Sequence, residues 1–134
     1  MSKTKNIAID GPAGTGKTTV STLLAQKLGY QKLDTGAFYR AVTVQALRDP
    51  SSMDDEAKCI EFARKVSVTF DKETGVQHML IDSVECDHEL RTPEVSHSVS
   101  QVSKYPGVRR IIVDLLQSIT DAGGFVAEGL FISY

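Results

Sequence analysis

The chain has 134 residues, 41% hydrophobic and 24% charged, a balance typical of one globular domain of ordinary size. Its net charge of −2 argues against nucleic acid or an anionic membrane as the main partner. No apolar run approaches the ~20 residues of a membrane-spanning helix, and the N-terminus lacks a signal-like apolar segment, so we expect a cytoplasmic protein.

The first third of the chain predicts strands that alternate with helices. A short apolar strand at 6–10 leads into a glycine-rich loop, and a helix at 17–28 ends at Gly29, where a C-terminal cap is expected. A second strand is predicted at 30–34 and a second helix at 36–48. This alternation is typical of an α/β fold with a parallel sheet. The first helix carries four apolar residues at helical spacing: Val20, Leu23, Leu24 and Leu28.

The middle of the chain predicts an antiparallel hairpin instead. Ser51 or Ser52 is expected to cap a third helix. Two strand-like runs at 66–70 and 76–82 then flank the turn sequence DKETG. We therefore expect a hairpin inserted among the helices.

The last third returns to helices and ends on a strand. Thr92 is predicted to cap a helix that begins with proline, and the sequence YPG at 105–107 ends it. A long amphipathic helix follows and closes at Gly123 and Gly124. The apolar run FVAE is predicted to be a buried strand that ends at Glu128.

Cysteines and histidines are not predicted to form a site. Cys59 lies on the apolar face of the third helix, where cysteine usually acts as a small hydrophobic residue, and Cys86 lies in a polar stretch. A disulfide is not expected in a cytosolic chain. The histidines have no metal-ligand spacing, so solvent exposure or local hydrogen bonding is expected for each of them: His78, His88 and His97.

One motif carries recognisable chemistry. Residues 11–18 read GPAGTGKT and fit the phosphate-loop pattern G-x-x-x-x-G-K-[ST], after a strand and at the start of a helix. Glycine lets the backbone approach a phosphate closely, and the helix N-terminus favours the anion. Lys17 is the predicted catalytic residue, reaching the β- and γ-phosphates, and the Thr18 hydroxyl is predicted to bind Mg²⁺. The residues predicted to bind the phosphates of ATP are Gly11, Pro12, Ala13, Gly14, Thr15, Gly16, Lys17, Thr18 and Thr19.

Two observations narrow the class of phosphate-loop protein. A GTPase should carry an N-K-x-D motif for its base, and the sequence contains none. Glu128 ends an apolar strand, which is the expected place for a carboxylate that holds magnesium through water. A strand-end glutamate that faces solvent is the alternative interpretation of Glu128.

Four stretches, in order and at matching spacings, resemble bacterial cytidylate kinase: IAIDGPAGTGKTT, LDTGAFYRAVT, LRTPEVSHSVSQVSKYPGVR and GGFVAEG. That family transfers the γ-phosphate of ATP to CMP or dCMP. The resemblance implies a P-loop NTPase fold of three α/β layers on a parallel sheet, with 1–134 forming part of one kinase domain. It also implies that the region of about 66–92, with the hairpin, is an inserted monophosphate-binding region. The implied cofactor is Mg²⁺, and the implied partners are ATP and CMP or dCMP.

The resemblance also implies a set of residues on the acceptor side of the site. Thr35, Tyr39 and Arg40 would line the monophosphate site, with Arg40 on the CMP phosphate and Tyr39 near the sugar. Ser100 and Arg109 would read cytosine. Each position has a simpler interpretation: helix packing for Tyr39, a solvated face for Arg40, an ordinary polar helix position for Ser100 and an ion pair for Arg109.

The sequence departs from the family after Gly129. The family continues with an arginine that grips the CMP phosphate and an aspartate that reads cytosine, whereas this chain has Leu130 and Phe131. The resemblance therefore implies a domain without its later strands and its lid, in which the first strand becomes an exposed edge. The complete domain is expected to be monomeric. The chain as it stands could associate through that exposed edge.

Two other functions compete with that of a cytidylate kinase. One is a module that binds nucleotide without transferring phosphate. The other is a different small-molecule kinase that shares only the phosphate loop and the sheet, but the stretch LDTGAFYR counts against it.

Overall fold

The computed structural model describes residues 5–9 and 16–129, apart from the side chain of Lys17. These residues belong to two compact units, the first formed by Met1–Gly36 with Leu115–Tyr134 and the second by Ala37–Asp114. The strands are β1 (Ile7–Ile9), β2 (Gln31–Asp34), β3 (Val66–Phe70), β4 (Gln77–Ile81), β5 (Val84–Glu85) and β6 (Phe125–Glu128). The α-helices are α1 (Lys17–Leu28), α2 (Gly36–Arg48), α3 (Glu56–Arg64), α4 (Pro93–Ser103) and α5 (Pro106–Thr120), and short 3-10 helices lie at Pro50–Ser52 and Asp87–Glu89. None of the helices in the described ranges combines the length and hydropathy needed to span a bilayer.

The first unit is built on a parallel sheet of three strands in the order β1-β6-β2. The central strand β6 pairs with both neighbours, so that Ile9 and Asp34 both lie beside Glu128. Helix α1 provides the crossover from β1 to β2, as parallel strands require. The predicted α/β fold with a parallel sheet is confirmed, and β1 is an outer strand among the described residues.

Several predicted helix ends are confirmed. Gly29 ends α1 in a left-handed conformation with φ 68°, and its N–H donates to the Ala25 carbonyl. Helix α2 has the predicted bounds. The Thr92 hydroxyl accepts a hydrogen bond of 3.4 Å from the Val95 N–H and caps α4. These ends were predictable because capping is local in sequence.

The buried face of α1 differs from the apolar pattern. Val20, Leu23 and Leu28 are about half exposed, whereas Ser21 is buried together with Ala25. The helix turns its hydroxyl-bearing face toward the sheet, where side chains on β6 and β2 provide hydrogen-bonding partners. Polar contacts, not apolar spacing, therefore fix the orientation of this helix.

The second unit contains a separate antiparallel sheet in the order β3-β4-β5. The predicted hairpin of β3 and β4 is confirmed, with Val66 opposite Ile81 and Phe70 opposite Gln77. The third strand, β5, was not predicted. It follows β4 through Asp82 and Ser83, which have φ of 50° and 67°, the positive values of a two-residue type I′ turn.

The predicted serine cap of the third helix is wrong. Asp55 caps α3, since its carboxylate accepts a hydrogen bond of 3.2 Å from the Lys58 N–H. Ser52 is buried and its hydroxyl donates to the carbonyls of Ala46 and Asp49. Pro50 begins a short 3-10 helix that includes Ser52 and ends before α3 begins.

Both cysteines are buried, free thiols in the second unit. Burial raises the pKa of the Cys86 thiol to about 11 and also raises that of Cys59. Cys86 directly follows β5, and its N–H donates to the Met79 carbonyl at 3.0 Å. Other buried residues of this unit come from α2, α3, β4 and the two later helices: Phe38, Val42, Ala46, Ala63, Met79, Val95, Val102, Val108 and Ile112.

His78 on β4 is hydrogen-bonded to Asp87, which begins the 3-10 helix after β5. Its Nδ1 lies 2.6 Å from Asp87 Oδ2, while Asp87 Oδ1 accepts a hydrogen bond of 2.8 Å from the Met79 N–H. His78, Glu85 and Asp87 offer ligand atoms within 4.8 Å of one another, but internal hydrogen bonds already engage both oxygens of Asp87. The hydrogen bond with Asp87 raises the pKa of His78 against the opposing effect of burial, and the charges of Asp87, Glu85 and Asp71 act in the same direction as that bond.

This pair predicts a pH-dependent stability. Because the pKa of His78 lies above 6.5 in the folded chain, the pair stabilises the fold fully below that pH and loses its effect as the pH rises through the raised pKa. We expect His78→Gln to lower the urea midpoint at about pH 6 and to have little effect near about pH 9. Urea unfolding across this range tests the expectation, with exposed His88→Gln as the control. A His78→Gln deficit that grows with pH would contradict it.

Candidate functional site

The carboxyl ends of the three parallel strands meet at one edge of the first sheet. β1 leads into residues 10–15, which lie outside the described residues, while β2 ends before Thr35 and β6 ends before Gly129. The Thr35 N–H donates to the Glu128 carbonyl at 2.9 Å, and the Gly129 N–H donates to the Ile9 carbonyl at 3.2 Å. This edge is where open parallel sheets usually bind their ligands.

The start of α1 has the context that a phosphate loop requires. Gly16 adopts a left-handed conformation with φ 82°, no side chain among the described residues caps the helix, and the helix begins at Lys17. The N-terminal N–H groups of such a helix favour an anion. Thr18 and Thr19 occupy the exposed first turn. The remaining predicted loop residues, Gly11 to Thr15, and the side chain of Lys17 lie outside the described residues.

Glu128 lies at the centre of the described site. Its side chain is buried against two hydroxyls: Thr18 Oγ1 donates to Oε1 and Ser21 Oγ donates to Oε2, each at 2.6 Å. Lys32 Nζ lies 3.5 Å from Oε2. Burial alone would raise the pKa of Glu128, but the hydrogen bonds from Ser21 and Thr18 and then the charge of Lys32 outweigh it, so the pKa falls below its usual 4.5. The carboxylate is therefore ionised at neutral pH.

A second hydrogen-bonded chain ties Lys32 to the start of α1. Lys32 Nζ donates to Thr22 Oγ1 at 3.0 Å, and Thr22 Oγ1 donates to the Thr18 carbonyl at 2.9 Å. Sequence reasoning missed Ser21 and Lys32 as site residues. Ser21 follows Thr18 by three residues on a helix, a spacing that shares a face and could have signalled it. No comparable local signal points to Lys32.

The structure brings together the two residues predicted to hold magnesium. Thr18 and Glu128 are joined by a hydrogen bond of 2.6 Å, at the helix N-terminus where triphosphate oxygens are expected. A hydroxyl and an ionised carboxylate are the hard oxygen donors that Mg²⁺ prefers. The described residues therefore fit a magnesium ion.

The second unit holds the other predicted acceptor-side residues. Tyr39 is completely buried on α2. Arg40 is half-buried, and its Nη1 donates to the Leu90 carbonyl at 2.9 Å and to Ser96 Oγ at 3.1 Å. Ser100, exposed on α4, follows Ser96 by one helical turn and so shares its face. Arg109 is exposed on α5.

Thr35 is held in place within the first unit. It is 1% exposed, and its Oγ1 donates to the Glu128 carbonyl at 3.0 Å. Its backbone N–H donates to the same carbonyl, so Thr35 makes two hydrogen bonds to one acceptor. Thr35 thus fixes the end of β6 that presents Glu128.

Comparison with known proteins finds one family along nearly the whole chain. The family model described as cytidylate kinase matches residues 7–133. The cytidylate kinase of Desulforamulus reducens is 43% identical over 129 residues, which is 96% of this chain and 58% of that relative. Those of Caldanaerobacter subterraneus subsp. tengcongensis and Streptococcus mutans serotype c are 42% and 41% identical, covering 94% and 92% of this chain. They are covered over 54% and 55% of their own length, so the chain spans little more than half of these curated relatives.

Proposed function

We infer the function of this chain from the premise that it belongs to the cytidylate kinase family, whose model matches residues 7–133. We propose that the chain binds ATP with Mg²⁺ at the phosphate loop and transfers the γ-phosphate to CMP or dCMP. The observation that carries the proposal is the Thr18–Glu128 pair, a hydroxyl and an ionised carboxylate at the carboxyl end of a parallel strand. The proposal keeps the expectation of a cytoplasmic protein that is monomeric if complete and that could associate through the exposed edge of its sheet as it stands.

The proposed reaction needs no general base on the protein. The attacking oxygen of CMP belongs to a phosphate and is already ionised, so catalysis consists of positioning and charge neutralisation. Lys17 would contact the β- and γ-phosphates, the Thr18 hydroxyl would hold Mg²⁺ directly, and Glu128 would hold it through water. The chemistry that bound Mg²⁺ supplies is neutralisation of charge on the phosphate oxygens.

The acceptor side of the proposal rests on Arg40 and the face of α4. In the proposal Arg40 binds the CMP phosphate, Tyr39 lies near the sugar, and Ser100 reads cytosine with Arg109. Support comes from Arg40, whose guanidinium is anchored on Ser96, one helical turn before Ser100. Thr35 is proposed as a further CMP-binding residue.

A second candidate, nucleotide binding without transfer, is favoured by the sequence after Gly129. Leu130 and Phe131 cannot make the charged contacts that the family's arginine and aspartate make with CMP. Hydrogen bonds to charged groups contribute about 1.5–3 kcal/mol each, so losing two weakens acceptor binding by about two decades or more. Both residues lie outside the described residues.

An assay with ATP, Mg²⁺ and a panel of acceptors tests the proposal. We expect ADP formation with CMP and dCMP to exceed that with UMP and AMP. Lys17→Ala should weaken ATP binding by about 10- to 100-fold, because it removes a charge-assisted contact. Lys27→Ala, which removes an equal charge from the exposed last turn of the same helix, is the control.

Two outcomes of this assay decide between the candidates. ATP binding by calorimetry without turnover of any acceptor would favour the non-transferring module. Unchanged ATP affinity in Lys17→Ala would contradict use of the phosphate loop altogether.

A further inference from the structure

We propose that Lys32 is a positioning residue and the built-in counter-ion of Glu128, and that it weakens the binding of a divalent cation at the phosphate loop. The inference rests on the proposed function, since it concerns the same magnesium site. It assigns a role to a residue that no motif in the sequence marks.

The Lys32 ammonium is held in place from two sides. Its Nζ lies 3.5 Å from Glu128 Oε2 and donates to Thr22 Oγ1 at 3.0 Å. The Lys32 side chain is 33% exposed and that of Glu128 is 11% exposed, so the pair is partly shielded from water. A partly buried ion pair is screened less by salt than a surface pair.

Lys32 is not needed to orient the carboxylate. Thr18 holds Oε1 and Ser21 holds Oε2, each through a hydroxyl at 2.6 Å. With both oxygens fixed by neutral donors, the main contribution left to Lys32 is its positive charge.

That charge opposes a cation at the same carboxylate. A Mg²⁺ ion held by Glu128 would share this carboxylate with the Lys32 ammonium, at a partly buried site where the effective dielectric constant is well below that of water. The same ammonium attracts the negative phosphates of metal-free ATP. Removing the Lys32 ammonium should therefore strengthen the binding of metal-bound ATP relative to the binding of metal-free ATP. This comparison fixes the sign of the expected effect.

The test is the ratio of the ATP dissociation constant in EDTA to that in saturating Mg²⁺, measured by calorimetry without acceptor. We expect this ratio to be about three- to tenfold higher in Lys32→Met than in the wild type. Lys32→Arg keeps the charge and should restore the wild-type ratio, and exposed Lys27→Met should leave it within about twofold. A ratio that is unchanged or lower in Lys32→Met overturns the proposal, because a merely structural ion pair would change stability and leave the ratio alone.

A second readout separates this inference from the proposed function. If the wild type binds no ATP at any Mg²⁺ concentration, the proposed function fails, and a double-variant cycle of urea unfolding decides the counter-ion role. The loss of stability from Lys32→Met should be smaller in a Glu128→Gln background than in the wild type, because the carboxylate that Lys32 pairs with is then absent. Equal losses in the two backgrounds overturn the proposal. Lys32→Gln, made in parallel, carries the same expectations and replaces Lys32→Met if that variant does not fold.

Discussion

Glu128→Gln is expected to lower the unfolding free energy by about 2–3 kcal/mol at neutral pH, because charge-assisted hydrogen bonds contribute about 1.5–3 kcal/mol each. The glutamine keeps the shape of the side chain but accepts at only one of its two terminal atoms. One of the Thr18 and Ser21 hydroxyls then loses a carboxylate acceptor, and Lys32 loses its counter-ion. Urea unfolding of the two proteins measures the difference.

The pH dependence of this loss has a defined sign. Because the pKa of Glu128 in the folded chain lies below 4.5, its stabilising effect is complete above that pH and disappears as the pH falls through the lowered pKa. The difference between wild type and Glu128→Gln should therefore shrink in acid. Glu61→Gln makes the same chemical change on a carboxylate that is 70% exposed, and should cost less than about 0.5 kcal/mol. Equal stability of Glu128→Gln and the wild type at neutral pH would contradict the structure of this site.

Glu128→Gln should also reduce the extent to which Mg²⁺ strengthens ATP binding. If Glu128 holds the cation, the ratio of ATP dissociation constants without and with Mg²⁺ should fall about tenfold or more in Glu128→Gln, since a neutral amide replaces the carboxylate. Glu128→Gln and Lys32→Met thus shift this ratio in opposite directions. A purely structural cluster would not produce opposite shifts.

The sequence carried enough local information for most of the fold. The phosphate-loop motif predicts a strand before it and a helix after it. The helix caps at Gly29 and Thr92 were predictable because each depends on residues close to it in sequence. The hairpin at 66–82 was predictable from two strand-like runs around a turn. Glu128 was singled out because an apolar strand ended in a carboxylate, and the structure places it against Thr18.

What the sequence did not reveal depends on long-range pairing. Lys32 reaches Glu128 because β2 pairs with β6, a strand some ninety residues later in the chain. The register of that pairing cannot be predicted from the residue pattern of either strand alone. The face of α1 was misjudged for a related reason. The partner of Ser21 lies on β6, so the helix buries a hydroxyl while Leu23 stays exposed. Strand β5 was missed because it has only two residues and follows a turn without glycine.

Gly129→Ala is the second substitution with a large expected effect. Gly129 has φ of 157°, in the range that residues with a Cβ rarely adopt, and an added Cβ would overlap Thr35 Oγ1. Thr35 cannot move away easily, because it is 1% exposed and its Oγ1 donates to the Glu128 carbonyl. Backbone strain of about 1–3 kcal/mol and overpacking of about 1–3 kcal/mol together predict a loss of roughly 3 kcal/mol.

Two further variants separate strain from overlap. Gly29 has φ of 68° and an added Cβ there meets nothing within 4 Å, so Gly29→Ala reports backbone strain alone, about 1–2 kcal/mol. The double variant Gly129→Ala with Thr35→Ala removes the overlapping hydroxyl and should be more stable than the sum of its single variants predicts. Urea unfolding of this set measures both effects. If Gly129→Ala cost no more than Gly29→Ala, the close approach of Gly129 to Thr35 would be wrong, and with it the placement of the strand end that presents Glu128.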